Sequence, residues 1–154
     1  YYLQVPRSGI NAAPYEVEVT HIPYGIADLG EPNDGKTEAH VLPMGKVHEA
    51  LIGFEDDKED WYQMTMSSNG RLTFRIKNLN SSGTAVGAIG VVTLLDSDGN
   101  KLTSINTRHY SSILAGHNLT STEVAVSQEA TYYLQVPRSG INAAPYEVEV
   151  KLSE

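Results

Sequence analysis

The sequence predicts an all-β chain folded as an antiparallel β-sandwich, jelly-roll-like, with about eight strands. Three observations predict it. Apolar and polar residues alternate along several short runs, the period of a strand with one buried face. Clusters of Gly, Asn, Asp and Pro punctuate those runs at short spacing, as in sandwiches and barrels. No run shows a helical apolar period beyond a turn or two.

Taken in chain order, residues 47–54 read as a weaker strand. Residues 60–66 set Tyr62, Met64 and Met66 against Trp61, Gln63 and Thr65. Residues 71–77 point Leu72, Phe74 and Ile76 one way and Arg71, Thr73, Arg75 and Lys77 the other. Residues 88–95 are continuously apolar, as expected of a central strand covered on both faces. Residues 102–106 and 122–127 are weaker strands. Residues 132–136 alternate Tyr132, Leu134 and Val136 with Tyr133 and Gln135. Residues 146–152 alternate Tyr146, Val148, Val150 and Leu152 with Glu147, Glu149 and Lys151. Asn69-Gly70 and Asp98-Gly99 carry hairpin-turn chemistry, because Asn and Gly tolerate positive φ. Pro137-Arg138-Ser139-Gly140 begins the loop between the last two strands.

The first 19 residues recur without change as residues 132–150. Chance does not produce such a run, so the chain holds a duplicated structural unit. The predicted organisation is a duplicated closing hairpin at 1–19, a linker at 20–30 with Pro23, Gly25 and Gly30, and one sandwich module at 31–154. Three readings of the first copy stand side by side. It is the end of a preceding module; it is a donor that completes a neighbour, as in donor-strand complementation; or the two copies compete for one slot in a single chain, as in an engineered duplication. A repeating extracellular filament or tandem array accommodates the first two.

The 154 residues carry a formal charge of -8 and no cysteine. Disulfides, thiolate metal sites and cysteine catalysis are excluded. The 11 basic residues are scattered, which argues against nucleic acid, whose phosphates need clustered Lys and Arg. No run approaches the roughly 20 apolar residues of a membrane span. His21, His40, His48, His109 and His117 show no zinc-binding spacing, and no nucleophile elbow or Ser-x-x-Lys is present. No enzyme is expected. Asn80 and Asn118 open glycosylation sequons, both in predicted loops. Trp61 and Tyr133 lie on the outward face of their strands and are the better aromatics for contact with collagen or sugar.

Two acidic clusters remain, Glu31-Pro32-Asn33-Asp34 and Glu55-Asp56-Asp57-Lys58-Glu59-Asp60. A linker supplying Glu31, Asn33 and Asp34 that folds back on a loop supplying Asp57 and Asp60 would gather the oxygens that calcium requires. The plainer reading of the second cluster is a solvated charged loop.

Glu31-Pro32-Asn33-Asp34, then Ala39, Leu42 and Gly53, then Asp57-Lys58-Glu59-Asp60-Trp61-Tyr62, the Leu94–Gly99 turn and the closing Thr131–Val136 and Pro145–Val150 segments together resemble the bacterial pre-peptidase C-terminal domain family. The resemblance covers about residues 31–152. It implies a jelly-roll sandwich of secreted bacterial or archaeal proteins, appended to proteases or repeated in surface proteins. The family includes the collagen-binding domains of clostridial collagenases, in which an acidic linker and an Asp-x-x-Asp loop bind calcium. Carried over by motif, the ligands are Glu31, Asn33, Asp34, Asp57 and Asp60. Leu29 stands where the collagen-binding members have a further Glu, which implies one ion rather than two. The expected role is a structural or adhesive extracellular module with a calcium-stabilised linker and identical modules as neighbours. The rival expectation is an accessory domain that binds collagen or polysaccharide for a secreted protease.

Overall fold

The computed structural model describes residues 30–53, 57–79, 89–107, 118–139 and 144–154. The first repeat copy (1–19), linker residues 20–29, the Asn80 sequon, Tyr110, His21, His109 and His117 lie outside them. Among the described residues the chain forms ten strands and no α-helix. The strands are β1 (His40–Val41), β2 (Val47–Ile52), β3 (Glu59–Thr65), β4 (Gly70–Asn78), β5 (Val91–Leu95), β6 (Lys101–Asn106), β7 (Asn118–Thr120), β8 (Val124–Val126), β9 (Thr131–Pro137) and β10 (Ala144–Ser153). One sheet runs β1-β3-β9-β5-β6 and the other β2-β10-β4-β7, with β8 also pairing β4. The predicted β-sandwich is therefore present, with ten strands instead of about eight. One pair, β1 with β3, is parallel.

Alternation sets which side chains enter the core. Tyr62, Leu72, Leu134, Tyr146, Val148 and Val150 are fully buried between the sheets, as are Met64, Met66, Phe74 and Ile76 to within 2%. The outward residues of β4 and β10 form a charged ladder. Arg75 Nε donates to Glu149 Oε2 at 3.0 Å and Lys77 Nζ to Glu147 Oε1 at 2.6 Å. Opposite charges facing across adjacent strands favour this pairing over its neighbours in register. The run at 88–95 departs from expectation. In β5, Val92 and Leu94 are buried, but Val91, Thr93 and Leu95 stay half-exposed, because among the described residues no layer fully covers the outer face of this sheet.

Adjacent strands in sequence seldom share a sheet. Asp96–Asn100 does close the β5–β6 hairpin. Gly99 sits at φ +87°, and Asp96 Oδ1 accepts from the Asp98 and Asn100 amides at 2.9 and 2.8 Å. Asn69-Gly70 instead carries the chain from one sheet to the other, since β3 and β4 belong to different layers. Gly70 is required there for a different reason. A Cβ would collide with the Ser153 carbonyl oxygen and lie 3.0 Å from Leu152 Cδ1, while Asn69 Oδ1 accepts from the Gln128 amide at 2.8 Å. The Asn118 sequon lies in β7 and not in a loop. β7 and β8 pair successive parts of β4, and between them Ser121 Oγ accepts from the Phe74 amide at 3.0 Å.

The closing segment is likewise no hairpin. β9 lies between β3 and β5 in one sheet, and β10 between β2 and β4 in the other. Residues 132–150 thus supply an interior strand to each layer. Burial of Leu134, Val136, Val148 and Val150 alone stabilises by about 1.5–3 kcal/mol per side chain, which together rivals the ~5–15 kcal/mol net stability of a whole domain. The body cannot keep this fold with the slot empty.

Candidate metal centre

The site forms where the chain enters the sandwich. The Asn33 carbonyl accepts from the Trp61 amide at 2.9 Å, which pins the Glu31–Asp34 segment to the start of β3. Asp60 is not a loop residue. It shares the inward face of β3 with Tyr62 and Met64, and it is fully buried. The loop before β3 brings in Asp57, whose Oδ2 accepts from the Gly53 amide. One carboxylate oxygen from each of Glu31, Asp57 and Asp60 lies within 4.8 Å of the other two.

Asn33 is 1% exposed and its carboxamide sits between two of these acids, 3.0 Å from Glu31 Oε1 and 3.2 Å from Asp60 Oδ1. With its NH₂ turned inward it donates to both. Turned the other way, its oxygen joins theirs in an all-oxygen cluster of the kind calcium accepts. Asp57 Oδ1 is buried and has no hydrogen-bond partner among the described residues. A carboxylate oxygen in that state carries a full desolvation cost, which a cation would relieve. Asp34 stays exposed and outside the triad, near enough for its charge to act on Glu31 and Asp57.

The electrostatics agree with the geometry. Glu31 is exposed as a residue, but partial desolvation raises its carboxyl above the ordinary value against the opposing Asn33 amide, and the neighbouring charges of Asp57, Asp34 and Glu38 add to the rise. Burial likewise raises Asp57, with Asp34 adding and Arg138 opposing. These acids resist ionisation without a countercharge, and the residues present fit a divalent cation.

Behind the acids runs a buried polar chain. The Tyr146 hydroxyl donates to Asp60 Oδ2 and lies 2.5 Å from the Tyr62 hydroxyl, across the two sheets. Burial, then the proximity of Tyr62 and Asp60, holds the Tyr146 phenol well above its ordinary range. Arg138 Nη1 donates to the Gly53 carbonyl at 2.6 Å and the Arg138 amide to the Lys58 carbonyl at 2.8 Å. The closing segment therefore braces the acidic loop. The alternation that put Tyr146 in the core pointed to part of this support, but its pairing with Asp60 depends on which strands face each other. Two histidines without zinc-binding spacing in the sequence come together: His40 and His48 stack at 5.5 Å, and both rings lie edge-on to Tyr62. The two-residue strand β1 is too short to have been seen in the sequence pattern. Trp61 and Tyr133 occupy the outer face as expected, half-exposed, with Lys36 Nζ 4.6 Å above the Tyr133 ring.

No family model and no curated protein sequence matches the chain. Solved structures do. The pre-peptidase C-terminal domain of a collagenase from Bacillus anthracis superposes with a TM-score of 0.53 at 16% identity, covering 73% of this chain and 94% of that one. A mitogen derived from Yersinia pseudotuberculosis gives 0.49 at 9% identity, over 71% and 86% of the two chains. At such identities the first likeness establishes architecture: the chain has the β-sandwich fold of a pre-peptidase C-terminal domain.

Proposed function

We propose that the chain is a non-enzymatic structural or adhesive module of an extracellular tandem-repeat protein or filament, stiffened by calcium at the entry to the module. The observation that carries the reading is the Glu31–Asp57–Asp60 triad with a buried Asp57 oxygen that has no partner among the described residues. Glu31, Asp57, Asp60 and the Asn33 side-chain oxygen would hold the ion, with Asp34 outside them. The ion supplies positive charge that the acids lack among themselves. Because Glu31 and Asn33 belong to the segment that leads into the sandwich, cation binding fastens that segment to β3 and limits its swing. A recurring closing segment, such as the 19-residue repeat, is what a chain of like modules would carry. Titration calorimetry of the chelator-treated protein tests the metal: one calcium per chain, with magnesium much weaker, is expected, and no heat with calcium refutes it. Electron microscopy with and without chelator tests the assembly, and compact monomers indifferent to chelator would remove the filament.

The second reading is an accessory domain that binds collagen or polysaccharide. It is favoured by Trp61, Gln63, Tyr133 and Gln135, which share the outer face of adjacent strands β3 and β9. Retention on collagen or polysaccharide columns that is lost in Tyr133→Ala distinguishes it from the first.

A further inference from the structure

We infer that residues 1–19 and residues 132–150 are alternative occupants of one slot, so that a single chain folds in two frames. In the described frame the slot is filled by β9 and β10. From Tyr132 to Val150, the residues that fill it are ones the first copy repeats. Tyr132, Leu134, Val136, Ala144, Tyr146, Val148 and Val150 are the buried set, and Tyr1, Leu3, Val5, Ala13, Tyr15, Val17 and Val19 match them. Arg138, Glu147 and Glu149, which bind Gly53, Lys77 and Arg75, have Arg7, Glu16 and Glu18 as counterparts.

The slot admits one copy at a time, because β9 and β10 are each flanked by a strand on both sides. Within the slot a second copy enters only by replacement.

The first copy reaches its own slot. A Cβ on Gly30 would sit 3.0 Å from His40 Cγ, and the Gly45 amide donates to the Val150 carbonyl at 2.7 Å. With five Cα–Cα steps from His40 to Gly45, Gly30 lies within roughly 32 Å of Val150 even if that stretch is fully extended. The eleven steps from Val19 to Gly30 span up to about 36–40 Å. A tether of this kind gives a local concentration of about millimolar, far above that of tails on other chains in dilute solution. The described frame keeps an advantage past the end of the repeat. Lys151, Leu152 and Ser153 continue the pairing with Thr73, Leu72 and Arg71, and Leu152 packs on the core. In the other frame Thr20, His21 and Ile22 would follow, putting His21 in the place of Leu152.

The inference is independent of the calcium reading, and its test runs in chelator. Val148 and its counterpart Val17 are each changed to Asp in the full chain, singly and together. Thermal unfolding, sedimentation and the mass of the trypsin-resistant core are measured. Val17→Asp should behave as the parent. Val148→Asp should remain a monomer with a cooperative transition, and its resistant core should begin at Tyr1 and lack the C-terminal end. The double variant should show no transition. The inference is overturned if Val148→Asp is as unfolded as the double variant, or if it folds only as a concentration-dependent oligomer.

Discussion

Replacing Asp60 by Asn separates the two duties of the most deeply buried acid in the site. Asp60 has no counterpart in the repeat, so no second copy can mask the effect. The amide oxygen of Asn can still accept from the Tyr146 hydroxyl, so the buried polar chain keeps that bond. The charge next to Glu31 and Asp57 disappears. Without calcium, removal of a like charge from a desolvated cluster offsets much of the weakened hydrogen bonding, and the change in stability should stay within about 1 kcal/mol, the net worth of one hydrogen bond. With calcium the result differs. At a hundredfold excess over its dissociation constant a ligand stabilises the folded state by about 2.7 kcal/mol, or roughly 5–11 °C in melting temperature for a domain of this size. Asp60→Asn should lose most of that increment. Differential scanning calorimetry in chelator and in millimolar calcium reads both quantities. A variant that keeps the full calcium increment would refute the metal reading. One that melts far lower in chelator would show that the Asp60 charge serves the fold and not the ion.

Further tests use other parts of the molecule. Glu31 and Asp57 have folded values raised above 4.5 and 3.8 respectively, so the folded state binds their protons more tightly than the unfolded state does. Cation-free stability should then be highest near or below those values and fall as pH rises through the range just above them. Saturating calcium should cancel that fall, because the ion binds the ionised carboxylates; urea unfolding at pH 4 to 7, with and without calcium, checks the sign. Phe74→Ala opens a cavity in a fully packed β4 position and should cost about 3–5 kcal/mol, read as a lowered urea midpoint at unchanged slope. Gly70→Ala forces Cβ against the Ser153 backbone and should cost about 1–3 kcal/mol as an overpacked site, with faster amide exchange at residues 151–153.

Much of the candidate site was readable as residue types and not as geometry. Acidic segments near Glu31 and Asp57 suggested a cation, yet the order among their members came from folding. Asp60 looked like a loop residue because it closes a charged run. It is in fact the inward residue of β3, two positions before Tyr62, and strand parity explains its burial. Asp34, chemically equal to the others in sequence, points to solvent. Asn33, the least charged member, is the one placed between the acids.

What the sequence determined by itself is the local physics: which of the longer runs are strands, which face of the alternating ones is apolar, and that 19 residues are present twice. Those follow from a two-residue period and from identity, both of which are properties of short windows. Which strands become neighbours was decided only by the tertiary structure. A turn such as Asn69-Gly70 fixes where the chain bends, but it does not fix whether the next strand hydrogen-bonds to the last or crosses to the opposite layer. That choice depends on burying every apolar face at once. The same global requirement turned an apparent closing hairpin into two interior strands in separate sheets, and brought Tyr146 across the core to Asp60.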